Sequence, residues 1–151
     1  MIVAYLTHPF STKHEMGSHH PECPDRVRVI DDHLRAQGLL DFMREESSEP
    51  ATDEVILRAH SEFLLESLER MAPTEGYAGI DGDTTMNPYT MQAVRHSAGA
   101  AVHAVDLVCG GKSPRAFCNI RPPGHHAERD RAMGFCFLNN AAIAVLHAIE
   151  A

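Results

Sequence analysis

Two short apolar runs at opposite ends of the chain, Ile2–Leu6 (IVAYL) and Arg115–Ile120 (RAFCNI), constrain the fold most. Both are β-rich and continuous, as strands buried on both faces are, and helical patterns fill the interval between them. Strands joined by long helical connections predict a parallel α/β sheet with covered faces. In such sheets ligands sit beyond the carboxyl ends of the strands. The segments that follow residues 6 and 120 are therefore where chemistry is expected.

Between the runs, Pro24 opens a helix whose Val27, Ile30 and Leu34 recur at helical spacing until Gly38. Residues 39–50 change character and end in an acidic run with Glu45, Glu46 and Glu49. Thr52 reads as an N-cap of a short helix, and Ser61–Met71 as another, closed by Pro73. The Gly, Pro, Asp and Thr content of residues 72–87 predicts a long loop. Asn87-Pro88 then reads as a cap plus first-turn proline for a helix over 89–109, ending at Gly110-Gly111. A last helix runs over 138–150, with Ala142, Val145, Leu146 and Ile149 on its inner face. With 151 residues the chain fits one domain.

Charge narrows the partners. There are 13 Lys and Arg against 21 Asp and Glu, a formal charge of −8, which argues against nucleic acid or an anionic membrane. The N-terminal apolar stretch is too short for a signal or membrane segment, and the four cysteines form no C-x-x-C pair. A cytoplasmic protein with reduced thiols is expected. The outlier is histidine, with 11 copies of the side chain best suited to metals and to proton transfer near neutral pH.

Two of these, His125 and His126, follow Arg121-Pro122-Pro123-Gly124 at the end of the second run. The prolines stiffen the backbone, and Gly124 permits close approach of a ligand. Adjacent imidazoles disfavour being charged together, so one could act as a base and the other as a charged donor. Taken alone, an adjacent pair of histidines is more simply read as loop side chains satisfied by backbone carbonyls.

The run RPPGHHAE at 121–128, followed by MGFCFLNN at 133–140, resembles the signature of the histone deacetylase family, which includes acetylpolyamine amidohydrolases and acetoin-utilisation proteins. Thr7-His8-Pro9 and the HPECPDR run at 20–26 resemble its N-terminal signature, in the bacterial and class II style. Asp81-Gly82-Asp83-Thr84 sits where such proteins carry a similar loop. The resemblance covers essentially the whole chain in family order. It implies a three-layer α/β sandwich with a parallel central sheet, the arginase/deacetylase-like fold. Residues 1–151 would be the N-terminal portion of a single such domain.

The resemblance also implies roles. His126 matches the general base and acid, and His125 an electrostatic partner near the nascent oxyanion. Gly134 matches the residue whose carbonyl accepts the scissile amide N–H, Phe135 an aromatic wall of the acyl channel, and Asp83 a substrate contact. Arg26 and, less directly, Arg121 match the internal cavity associated with acetate release. Plainer alternatives stay open: Phe135 as core, Arg26 as a helix-surface charge, Arg121 paired with Glu128, and Asp81 and Asp83 as turn formers.

The zinc ligands of the family, an Asp-x-His pair and a later Asp, have no counterpart in this sequence. Neither Asp31-Asp32-His33 nor Asp106 repeats the pattern. No metal ligand is therefore assigned on this chain. The expectation is a zinc-dependent deacylase of acyl-lysine or acetylpolyamine amides, with its metal held outside these residues and the isolated chain inactive. Its partners would be the remainder of the domain, a second chain, or another copy of itself. Two other readings remain: an inactive remnant acting as a binding or regulatory module, and a histidine-rich metal binder built on His14, His19 and His20.

Overall fold

A computed structural model describes residues 2–151. Strand β1 (Val3–Leu6) is central, flanked in parallel by β2 (Met43–Glu46) and β5 (Ala116–Cys118). Ala4, Tyr5 and Leu6 are fully buried, as the first apolar run requires. β5 pairs through Ala4↔Ala116 and Leu6↔Cys118, which confirms the parallel sheet joining the two runs.

Strand β2 is the difference from the sequence reading, which placed no strand in residues 39–50. Its sequence, MREE, carries neither an apolar run nor an alternation, yet it registers Val3↔Met43 to Leu6↔Glu46. The reason is its position: an edge strand bearing charge needs only backbone pairing on one side and discourages pairing on the other. At the opposite edge lies β5, which has no second neighbour among the described residues.

The helices fall where the periodicity places them, at α1 (Asp25–Ala36), α2 (Asp53–Ala59), α3 (Glu62–Met71), α4 (Thr90–Cys109) and α5 (Asn140–Glu150). The inner face of α5 differs from the expected one: Ile143 is fully buried, whereas Val145 and Ile149 are exposed. Ser61 caps α3 by accepting from the Leu64 N–H, and Asn139 caps α5 by accepting from Ala142, contacts worth about 1 kcal/mol each. Thr52 holds the N-cap position of α2 without a side-chain capping bond. Asn87 receives the Tyr89 N–H and the Thr90 hydroxyl, so Pro88 lies before α4 and not at its first helical position.

Small residues let α4 lie on the sheet: Ala100 and Leu107 pack with Ala4 and Leu6. A larger core joins Ile56, Leu64, Leu65, Leu68, Val94, Phe137, Leu138 and Ile143. Residues 72–87 are mainly loop, containing a minimal hairpin of β3 (Ala78–Gly79) and β4 (Thr85–Met86). No helix among the described residues is long and apolar enough to cross a membrane.

Candidate active site

The chain leaves β5 at Cys118 and enters the Pro-Pro-Gly corner through Arg121, a fully buried arginine. Its Nε and Nη2 donate to the two Glu22 carboxylate oxygens at 2.6 and 2.7 Å, a bidentate pair. Its Nη1 donates to the Ser11 and His14 carbonyls at 2.6 and 2.7 Å, and Nη2 also reaches the Glu22 carbonyl at 3.4 Å. Every guanidinium donor is thereby engaged. The main chain is held too: the Arg121 N–H donates to Ser11 Oγ, and its carbonyl accepts from Ser97 Oγ at 2.6 Å. Glu22, not Glu128, is the partner.

Arg26 meets the same carboxylate from the other side. Its Nε lies 3.5 Å from Glu22 Oε1, and its Nη2 donates to the Ile120 carbonyl. Unlike Arg121 it remains partly exposed.

His14 completes the buried floor. Thr90 Oγ1 gives its proton to Asn87 Oδ1, so it accepts one from His14 Nδ1, which fixes the tautomer. Nε2 is left without a hydrogen-bond partner among the described residues, 3.9 Å from Glu22 Oε2. Burial, with the Arg121 charge and His20 adding to it, pushes its pKa down to about 3. Because Arg121 already neutralises Glu22, His14 stays a neutral imidazole and not an ion-pair partner.

Past the prolines, Gly124 is required by close packing, but the neighbour is protein and not ligand. A Cβ there would lie 2.3 Å from the Asn140 side chain and 2.6 Å from its backbone nitrogen, at the start of α5. The corner then releases its two imidazoles. His125 and His126 are both exposed, their ring centres 4.3 Å apart and nearly perpendicular. The His125 N–H points to Cys136 Sγ at 3.4 Å.

Residues 133–136 form a tight turn, closed by reciprocal backbone bonds of 3.0 Å between Met133 and Cys136. Its central residues have positive φ, +58° at Gly134 and +66° at Phe135, the pattern of a type I′ turn. Gly134 is needed twice: for its φ, and because a Cβ would fall 2.9 Å from the Cβ and Cγ of His126. Phe135 is the only non-glycine residue with positive φ among those described, a conformation costing on the order of 1–3 kcal/mol for such a side chain.

The turn is tied to the Asp81–Thr84 loop. Thr84 Oγ1 accepts from the Phe135 N–H at 3.1 Å and donates to Asp83 Oδ1 at 3.1 Å. Asp81 Oδ1 accepts from the Asp83 and Thr84 N–H groups. Desolvation works to raise the Asp81 pKa, but these hydrogen bonds prevail and hold it below the usual carboxylate value. The Asp83 side chain is exposed, whereas its carbonyl accepts from His20 Nε2 at 2.8 Å. His20 Nδ1 receives the Glu22 N–H, and its ring meets Phe135 edge-on, 4.7 Å between centres.

His125, His126, Gly134 and Phe135 thus form one surface, linked through Thr84 and His20 to Asp83, while Arg26 and Arg121 converge on Glu22 beneath the corner. His20, Glu22, Thr84 and His14 had no assigned part in the deacylase reading. The signal for the first two lay in the HPECPDR run itself, where an acid follows a histidine and precedes an arginine. Thr84 had none, because its contact with Phe135 spans fifty-one residues.

Among the described residues no three His, Cys, Asp or Glu side chains come together to hold a metal ion. Both ring nitrogens of His20 and the Nδ1 of His14 are engaged in hydrogen bonds, and His14, His19 and His20 are not gathered into such a group. Burial pushes the Cys118 thiol up to about 11, which disfavours the thiolate.

Known proteins share both sequence and shape with this arrangement. The histone deacetylase domain matches residues 20–151. A histone deacetylase-like amidohydrolase of Pseudomonas aeruginosa is 36% identical over 126 residues, covering 83% of this chain and 33% of that protein. A probable deacetylase of Archaeoglobus fulgidus is 35% identical over 147 residues, covering 96% of this chain and 40% of that protein. The crystal structure of the HDA15 HD domain superposes with a TM-score of 0.93 at 28% identity, covering 99% of this chain and 43% of that one. The chain therefore spans less than half the length of these relatives. A parallel sheet with tandem histidines beyond its strand end, matched in sequence along most of its length, places the chain in the histone deacetylase family.

Proposed function

We propose that this chain supplies the proton-transfer groups and part of the acyl channel of a zinc-dependent deacylase acting on acetyl-lysine-type or acetylpolyamine amides. The observation that carries the proposal is the pair of exposed imidazoles on a rigid corner beyond a parallel strand, with His126 packed against the Gly134–Phe135 turn. An accessible imidazole has a ring nitrogen that can accept a proton and hand it on, as amide hydrolysis requires. His126 would take the proton of the attacking water and deliver it to the departing amine nitrogen. His125 would stabilise negative charge on the acyl oxygen.

The channel parts follow. The Gly134 carbonyl would accept the scissile amide N–H, and the Phe135 ring would flank the methylene stem. The exposed Asp83 carboxylate would meet the cationic or backbone part of the substrate. Arg26, partly exposed and beside Glu22, is the arginine we assign to acetate release. Arg121 has no donor left for acetate and is assigned to holding the corner.

Following the family resemblance, we assign the metal ligands to polypeptide outside this chain, and no step above is routed through the metal. Two observations support a missing complement: the unpaired side of β5, and the exposed apolar side chains of Phe117 on β5 and of Val145 and Ile149 on α5. We assign the covering of these surfaces to the rest of the domain. A relative in Danio rerio, 35% identical over 136 residues, is a polyamine deacetylase, and the −8 charge suits a cationic substrate. The test is a fluorogenic acetyl-lysine peptide with zinc. The isolated chain should show no turnover; turnover by it would contradict the placement of the metal site elsewhere.

A further inference from the structure

We infer that Thr84 is a positioning residue, whose hydroxyl fixes the central peptide of the Gly134–Phe135 turn and so sets the direction of the Gly134 carbonyl. The functional meaning rests on the deacylase proposal; the geometry stands without it. A turn with glycine at its first central position has two accessible forms. In type I′ both central residues have positive φ, whereas in type II′ only the first does. The two differ by a flip of the central peptide, which reverses the Gly134 C=O and the Phe135 N–H together.

Side-chain preference favours the second form, because Phe is poorly suited to positive φ and Gly134 is well suited to it. The chain nevertheless adopts the first, with Phe135 at +66°. The Met133–Cys136 backbone bonds close either form and do not choose between them. What chooses is the acceptor met by the Phe135 N–H, the fully buried Thr84 hydroxyl at 3.1 Å. That hydroxyl is itself oriented: its proton goes to Asp83 Oδ1, leaving a lone pair for Phe135. The Thr84 N–H is anchored on Asp81 at 2.8 Å. The loop carrying Asp83 and the turn carrying the proposed amide acceptor are thereby locked together. Deprived of the hydroxyl, the peptide is free to flip, turning the carbonyl away from the substrate and relaxing Phe135 to negative φ.

The test uses this chain and nuclear magnetic resonance, with no dependence on turnover. In the unaltered chain the Phe135 amide should exchange slowly and show the strong intraresidue HN–Hα contact of a positive φ. Absence of either overturns the inference. Thr84→Val keeps the shape and removes the hydroxyl; it should lose that contact and exchange at Phe135 about tenfold faster or more. Thr84→Ser should restore both. Unchanged Phe135 signals in Thr84→Val, or a serine variant that behaves like valine, would overturn it. The α4 amides report whether the valine variant keeps the fold; if it does not, Thr84→Ala is read against Thr84→Ser by the same criteria. Failure of the deacylase proposal would appear in turnover assays and leave these signals unmoved.

Discussion

Four residues along the chain from one another, Arg121 and His125 occupy opposite environments. Arg121 is fully buried and satisfied at every donor, whereas His125 and its neighbour His126 are exposed and touch each other. The difference separates two tasks within one corner. Its root is tied to Ser11, His14, Glu22 and Ser97, which removes freedom from the backbone. Its tip leaves both imidazoles exposed. A rigid base under accessible titratable groups is what preorganised catalysis needs.

The contrast predicts unequal responses to substitution. Removing the Glu22 carboxylate (Glu22→Ala) strands a buried guanidinium and should cost about 3–5 kcal/mol in urea denaturation. A cost below about 1 kcal/mol would break the distinction between root and tip, since surface positions respond on that scale.

Acid should attack the root next. His14 and His60 are both held below their ordinary pKa, chiefly by burial, with His60 Nδ1 donating to the Glu128 carbonyl and Nε2 accepting from Asn139. The unfolded chain therefore binds more protons than the folded one below about pH 6.5. Stability from these groups is present above that pH and falls as pH drops towards the folded value of about 3 for His14. Between pH 7 and pH 5 the His14 share is about 2 kcal/mol. Denaturation at the two pH values checks it, and a flat profile would show that His14 is not buried as a neutral ring.

Between root and tip lies Gly134. Gly134→Ala must displace His126 and adopt positive φ, at a cost of about 1–2 kcal/mol, measurable by thermal denaturation. The smallest effect belongs to the tip: His126→Ala should change stability by no more than about 0.5 kcal/mol.

The sequence made some of this legible and not the rest, for reasons that differ by residue. β1 and β5 were readable because burial on both faces demands continuous apolar runs. β2 was not, since an edge strand is specified by what it pairs with and not by its own side chains. The tandem histidines, Gly134 and Phe135 stood out because their chemistry is local and compressed into one segment. The Arg121–Glu22 pair joins residues ninety-nine apart, and no local pattern distinguishes it from a pairing with Glu128. Gly124 was legible as a point of close approach, but its neighbour, Asn140, was set by how α5 packs.

The most direct test compares acetyl-lysine peptide hydrolysis by the complete domain proposed above with hydrolysis by the same domain carrying His126→Ala. The account predicts a loss of about 10²–10⁴-fold in kcat with thermal stability unchanged. Equal rates in the two domains would contradict it.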